Sequence, residues 1–115
     1  MIKNIIVFGY GVDGVQAYLK LEQEGIYNLL GFADNSLAKQ GRIAFEKPVK
    51  SLDDLEILNQ QVSFSVVIAS SKWMTIKEQL EERQIEIYGI IINSKLQKYN
   101  EVACFDKLDC SKPVF

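Results

Sequence analysis

The stretch of this sequence that most restricts its fold is an apolar run, Ile5-Ile6-Val7-Phe8, that passes straight into Gly9-Tyr10-Gly11-Val12-Asp13-Gly14. A short unbroken apolar run suits a strand covered on both faces, as in a parallel sheet. The glycines permit a tight turn. From Val12 the period changes: Val12, Val15 and Leu19 recur at helical spacing, with Gln16, Lys20 and Glu22 elsewhere. Gly25 stops this helix near Glu24. Strand, glycine turn and helix in that order open a βαβ unit with a right-handed crossover.

The alternation continues along the chain. Leu29–Ala33 reads as a second buried strand, closed by the turn cluster Asp34-Asn35-Ser36. Residues 36–50 are irregular, with Gly41 as a breaker, Ile43–Phe45 as a short strand and Pro48 in an extended turn. Ser51-Leu52-Asp53-Asp54 resembles a capping box with Ser51 as N-cap, and Leu52, Leu55 and Leu58 form one face of a short helix. Phe64–Ala69, rich in valine and isoleucine, is the next strand. A third helix runs from Trp73 or Thr75 to Arg83, with Trp73, Ile76 and Leu80 toward the sheet and Thr75–Glu78 as a second capping box. Ile87–Ile92 is a further strand, and Val102–Phe105 an edge strand. The chain of 115 residues is expected to form one domain, 1–115. Its expected class is α/β, a Rossmann-like three-layer fold with a mostly parallel five- or six-stranded sheet. Ligands of such sheets bind outside the carboxyl ends of the strands, where Gly9–Gly14, Asp34–Ser36 and Ser70–Lys72 converge.

The hexapeptide matches Gly-x-Gly-x-x-Gly, and Asp34 stands twenty positions beyond Gly14. Each part has a physical use. Gly9 permits the turn, Gly11 leaves room for a pyrophosphate, and Gly14 lets helix and strand pack closely. Amides at the start of the helix, around Tyr10 and Val12, would face the phosphates, with the helix dipole behind them. Asp13 suits the dipole but would repel a diphosphate if turned inward, so it is expected to face solvent. Asp34 can accept hydrogen bonds from ribose hydroxyls and would repel a 2′-phosphate, and it can also close an Asx turn with Asn35 beside it. Ser70 and Ser71 can reach a ribose or phosphate, and Lys72 a second phosphate; a helix N-cap with a solvated lysine is their plainer role. The candidate ligands are NAD or a UDP-sugar.

Catalytic equipment is sparse. The chain has no histidine, which removes the commonest general base and metal ligand. No tyrosine has a lysine four residues later, so the tyrosine–lysine pair of short-chain dehydrogenases is missing. Asp53-Asp54 and Glu81-Glu82 read as solvated helix faces. Cys104 and Cys110, with five residues between them, match neither a zinc site nor a redox motif and read as reduced thiols. No metal site is expected. A net charge of −2 lends a nucleic-acid partner no electrostatic support. No apolar run approaches the ~20 residues of a membrane span, and the N-terminal run is too short for a signal-peptide core, which points to the cytoplasm.

Ile5 through Gly14, then Leu30-Gly31-Phe32-Ala33-Asp34-Asn35, then Gly41-Arg42-Ile43, then Lys47-Pro48-Val49 leading into Ser51-Leu52-Asp53-Asp54-Leu55, resemble a known domain. It is the Rossmann-like nucleotide-binding domain of bacterial surface-polysaccharide enzymes. That domain precedes the β-helix of sugar acyltransferases of the PglD type and the catalytic domain of nucleotide-sugar dehydratases. The resemblance spans about residues 3–92 and implies nucleotide or nucleotide-sugar binding at Gly9, Gly11, Gly14 and Asp34. It implies no catalytic residue: the acyltransferase domains tend to have histidine where Asp13 stands, and the hexapeptide repeats of their β-helix are missing here. Three functions stay open. One is a nucleotide-sugar binding module, without turnover of its own, beside a catalytic partner domain or in a homo-oligomer. The second is the NAD-binding part of an oxidoreductase or redox-responsive regulator. The third is an interaction domain that kept only the fold.

Overall fold

The computed structural model describes residues 2–99, so the Val102–Phe105 strand and both cysteines lie outside the described residues. In chain order the elements are β1 (Lys3–Phe8), α1 (Val12–Glu24), β2 (Tyr27–Ala33), β3 (Ile43–Ala44), β4 (Lys47–Pro48), α2 (Leu52–Asn59), β5 (Ser65–Ile68), α3 (Trp73–Glu82), β6 (Ile87–Ile92) and β7 (Lys95–Lys98). The main sheet is five-stranded in the order β2-β1-β5-β6-β7, and β3 and β4 form a separate two-stranded ribbon. The pairs β1–β2, β1–β5 and β5–β6 are parallel and β6–β7 is antiparallel. This is the expected Rossmann-like α/β architecture, with β1 flanked by the strands that follow it on either side.

Side chains alternate across the sheet. On one face Ile6, Phe8, Val66 and Ile68 pack against Leu52 and Leu55 of α2 and Ile76 and Leu80 of α3. On the other, Ile5, Val7, Phe32 and Val67 pack against Ala17, Tyr18 and Leu21 of α1. Leu58 and Trp73 pack against the first cluster, as their helical spacing foretells. The buried stripe of α1 differs from the expected one. Gly14, Ala17, Tyr18 and Leu21 are buried, while Val12 is 74% and Leu19 42% exposed. The helix is rotated because Gly14 must meet the backbone of Gly9, as described below. Tyr18 stacks between Phe32 and Phe45, and its burial, then Glu22, pushes its hydroxyl pKa up.

The Ser51 capping box forms: Ser51 Oγ accepts from Asp54 N at 3.0 Å, and Asp54 Oδ2 accepts from Ser51 N at 2.9 Å. The Thr75 box does not. Ser70 Oγ accepts the Lys72 N–H at 3.1 Å, and the helix starts at Trp73 with Lys72 as an N-cap that gives no side-chain bond. The expected Ile43–Phe45 strand is present as Ile43–Ala44 in one of two short hairpins whose turns escape the sequence pattern. Ala44 pairs Lys47 across Phe45-Glu46, and Ile92 pairs Lys95 across Asn93-Ser94; all four turn residues have positive φ. Such turns favour glycine or asparagine, so only Asn93 marks them in the sequence. β2 also starts earlier than expected, at Tyr27, whose hydroxyl lies 2.9 Å from that of Tyr88. Burial, then this hydrogen bond, pushes the Tyr27 pKa up.

α3 ends in a Schellman motif. Ile85 N donates to Leu80 O at 3.0 Å and Gln84 N to Glu81 O at 3.0 Å, with Gln84 at φ 59°. That conformation disfavours every residue but glycine and, more weakly, asparagine. Gln84→Gly is therefore expected to stabilise the fold by about 0.5–1 kcal/mol, after allowing for glycine's freer unfolded chain. Urea unfolding measures it, and a lower midpoint would contradict the left-handed cap.

Candidate functional site at the carboxyl edge of the sheet

Past Phe8 the backbone continues its ladder, with Gly9 N donating to Ala33 O at 2.7 Å and Ala69 N to Phe8 O at 2.8 Å. Gly9, at φ 122°, has no room for a side chain: a Cβ there would lie 2.2 Å from Ala69 O. A Cβ on Gly14 would lie 1.7 Å from Gly9 O. Both glycines therefore let backbone touch backbone, and together they seat the start of α1 against β1 and β5. Gly11 is different. It is exposed, has the ordinary extended angles φ −141° and ψ −162°, and a Cβ there would meet only Lys39 Nζ, 3.9 Å away. Among the described residues no packing contact requires glycine at that position.

Gly11 is the N-cap of α1, with no side-chain cap hydrogen bond. The first N–H groups of a helix have no acceptor within it and carry its positive end. The Tyr10 N–H is already used: it donates to Asp34 Oδ2 at 2.7 Å. The Ser36 N–H donates to Asp34 Oδ1 at 2.8 Å, the Asx turn the sequence allows. Lys39 Nζ stands 3.9 Å from Oδ2. A carboxylate has about four lone-pair sites, so each oxygen keeps capacity for one further donor.

Two hollows meet here. One of about 210 Å³ is lined by Gly9 to Asp13, Asp34, Lys39, Ala69 and Ser70. The other, about 260 Å³, has Phe8 and Ile76 among its lining with Asp34, Asn35, Ser36, Ser70, Lys72 and Thr75. They share Gly9, Asp34 and Ser70 and so form one cleft across the strand ends. Jointly they fall within the ~300–1,000 Å³ usual for small-molecule sites. A larger hollow of about 370 Å³ at Ile2–Asn4 and Ser63–Ser65 lies at the amino ends of the strands, away from the glycine loop.

The fold thus gathers the three expected segments. Tyr10 is half-buried against Phe32, with ring centroids 5.0 Å apart; Val12 and Asp13 are exposed at the mouth. Ser70 is half-buried, whereas Ser71 and Lys72 are exposed. Asn35 Nδ2 donates to Gln79 Oε1 on α3 at 3.0 Å, across the cleft. Lys39 and Thr75 also line the cleft, although the sequence pattern marks neither as a site residue. Lys39 lies in the irregular segment and reaches the cleft only because that segment folds back over Asp34. Among the described residues no group of three or more His, Cys, Asp or Glu could hold a metal ion, and no helix is long and apolar enough to cross a membrane.

No family model matches the chain, and no curated protein matches it. Solved structures do. UDP-D-quinovosamine 4-dehydrogenase from Vibrio fischeri superposes with a TM-score of 0.65 at 18% identity, over 92% of this chain and 87% of that one. RSP in complex with β-NADH gives 0.62 at 14% identity, over 99% of this chain and 63% of that one. RSP in complex with β-NAD+ and operator DNA gives 0.59 at 15%, over 97% and 58%. RSP is a Rex-family repressor. At these identities the match is one of fold, and it supports the Rossmann-like part of the resemblance without reaching the PglD-type family. One expectation is corrected. Net charge suggested that no nucleic acid would be a partner, yet a chain of this fold is found with operator DNA. A summed charge averages over faces and takes no account of sequence beyond the shared domain.

The glycines make separable demands. Gly14→Ala is expected to destabilise by about 2–3 kcal/mol, because the clash with Gly9 O outweighs the helix propensity gained. Gly11→Ala should cost no more than about 1 kcal/mol as an N-cap change. Thermal unfolding of both variants tests this, and equal losses would show that Gly11 is packed too.

Proposed function

We propose that this chain is a nucleotide-binding module that holds the diphosphate of NAD or of a nucleotide-sugar on the Gly9–Gly14 loop. The observation that carries it is Gly11: its neighbours Gly9 and Gly14 are explained by internal packing, whereas Gly11, beyond its place as N-cap, leaves open the space that a ligand on the helix N-terminus would use. An uncapped helix N-terminus beneath it supplies the N–H groups and the dipole an anion needs. Asp34 lies beside this spot with acceptor capacity left for a ribose diol, and Ser70 and Asn35 line the adjoining hollow. Asp34 favours a free diol over a 2′-phosphate, since a carboxylate accepts hydrogen bonds and repels phosphate.

The fold likeness to a UDP-sugar dehydrogenase supports the nucleotide-sugar reading, and the setting in surface-polysaccharide biosynthesis rests on the resemblance of the sequence alone. The likeness to RSP bound to β-NADH supports, equally, an NAD-binding or redox-responsive role. The module orients a nucleotide without transforming it: tuned acid–base groups are needed within reach of a reacting atom, and the cleft's Lys72 and Tyr10 are a solvated and a packing residue.

Thermal-shift titration separates the readings. NAD+ or UDP-N-acetylglucosamine at a hundred times its dissociation constant should add about 2.7 kcal/mol of stability. Gly11→Val should abolish that gain with far-UV circular dichroism unchanged, and NADP+ should bind more weakly than NAD+. If neither NAD+ nor UDP-N-acetylglucosamine stabilises the protein, the nucleotide proposal falls. Sustained turnover of either by the protein alone, lost in Lys72→Ala or Tyr10→Phe, would overturn the non-catalytic part.

A further inference from the structure

Lys39 stands over the open glycine, and among the described residues its ammonium has no partner closer than Asp34. Its ammonium is 3.9 Å from Asp34 Oδ2 and 3.9 Å from where a Cβ on Gly11 would be. Hydrogen-bonded ion pairs are shorter, about 2.7–2.9 Å, so the lysine is near Asp34 rather than bonded to it. Asp34 does not depend on it, since Tyr10 N and Ser36 N already occupy one site on each oxygen.

The turn that carries Lys39 is built rather than loose. Lys39 N and Gln40 N donate to Ser36 O at 3.0 and 3.1 Å, Gln40 Nε2 to Asp34 O at 3.0 Å, and Arg42 N to Lys39 O at 3.1 Å. These bonds fix where the side chain leaves the backbone, while the side chain as a whole stays 41% exposed. Of the described residues lining the 210 Å³ hollow, Lys39 alone is cationic, and Asp13 and Asp34 are both acidic. With two carboxylates and no lysine, that hollow would oppose any phosphate brought to Gly11.

We propose that Lys39 sets the preference of the site for diphosphate groups. Its ammonium moves from beside Asp34 onto the phosphate oxygens above Gly11, and the carboxylate is left to the ribose. This rests on the nucleotide reading of the same cleft. It makes Lys39 a specificity residue for the anionic part of the ligand, with no role in holding the fold. Arginine can replace it in charge, and methionine can replace it only in volume.

The test uses inorganic pyrophosphate, NAD+, UDP-N-acetylglucosamine, adenosine and uridine on the wild-type protein, Lys39→Met and Lys39→Arg. Binding is followed by amide shifts of residues 9–14 and by calorimetry. Pyrophosphate should perturb those amides in the wild type and Lys39→Arg, and bind Lys39→Met at least tenfold more weakly. Any affinity for adenosine or uridine should be unchanged in Lys39→Met, as should the urea midpoint. Added salt should weaken pyrophosphate binding to the wild type more than to Lys39→Met. Pyrophosphate binding within twofold in the wild type and Lys39→Met overturns the inference, as does a wild type whose 9–14 amides ignore pyrophosphate. If pyrophosphate binds through Lys39 while NAD+ and UDP-N-acetylglucosamine do not bind, the inference stands and the nucleotide reading falls. If a nucleotide binds the wild type and Lys39→Met alike, the reverse holds.

Discussion

The carboxylate of Asp34 accepts one backbone N–H from the loop after β1 and one from the turn after β2, at 2.7 and 2.8 Å. The arrangement of the cleft depends on this clamp. Gly9 and Gly14 make their contacts as bare backbone, and the Tyr10 ring adds a contact with Phe32. Close backbone contact fixes how near α1 can come to β1 and β5. The carboxylate fixes how the loop is turned relative to β2. Removing it would leave the Tyr10 N–H in a half-buried place without its acceptor, a loss of about 1–3 kcal/mol for a buried group and less for one partly wet.

Strands β1, β5 and β6, the glycine loop and Asp34 were legible because they obey short-range rules: unbroken apolar runs, glycine spacing, and an acid at the end of the second strand. The buried face of α1 was misread because glycine does not register as apolar. The helix faces the sheet with Gly14, Ala17, Tyr18 and Leu21, a stripe chosen by closeness of approach, and so presents Val12 to solvent. β4 and β7 were missed, and β3 stops one residue short of the expected Ile43–Phe45, because Phe45, Glu46 and Ser94 adopt positive φ without being glycine. Neighbouring contacts hold them there; Phe45, for one, stacks on Tyr18. Lys39 could not be placed from sequence, since its position follows from hydrogen bonds to Ser36 and Asp34 that exist only once the segment has folded.

The solved structures that share this architecture include a sugar-nucleotide dehydrogenase and a transcriptional repressor. One scaffold serving both is the usual situation for a fold of this kind, whose function lies in what is placed at the strand ends. In this chain that placement is an open glycine, a clamped carboxylate and a lysine in reserve. The apolar core on the two sheet faces packs the sheet against its helices and does not depend on what is placed at the strand ends.

The outer strands have a bearing on how the protein behaves in a crowded solution. Sheet edges offer unpaired backbone groups to any other extended chain, which is how ordered aggregates start. The β2 edge is covered: Lys50 bridges Ala33, its N–H bonds Phe32 O at 2.9 Å, and the Lys47 side chain crowds Gly31. Among the described residues β7 is the other outer strand of the sheet; it reads Lys-Leu-Gln-Lys, with Lys95 and Lys98 exposed at its two ends. Bringing a second such strand alongside would set ammonium against ammonium. The same short, polar β7 that hid from the sequence pattern is therefore suited to closing the sheet against uncontrolled growth.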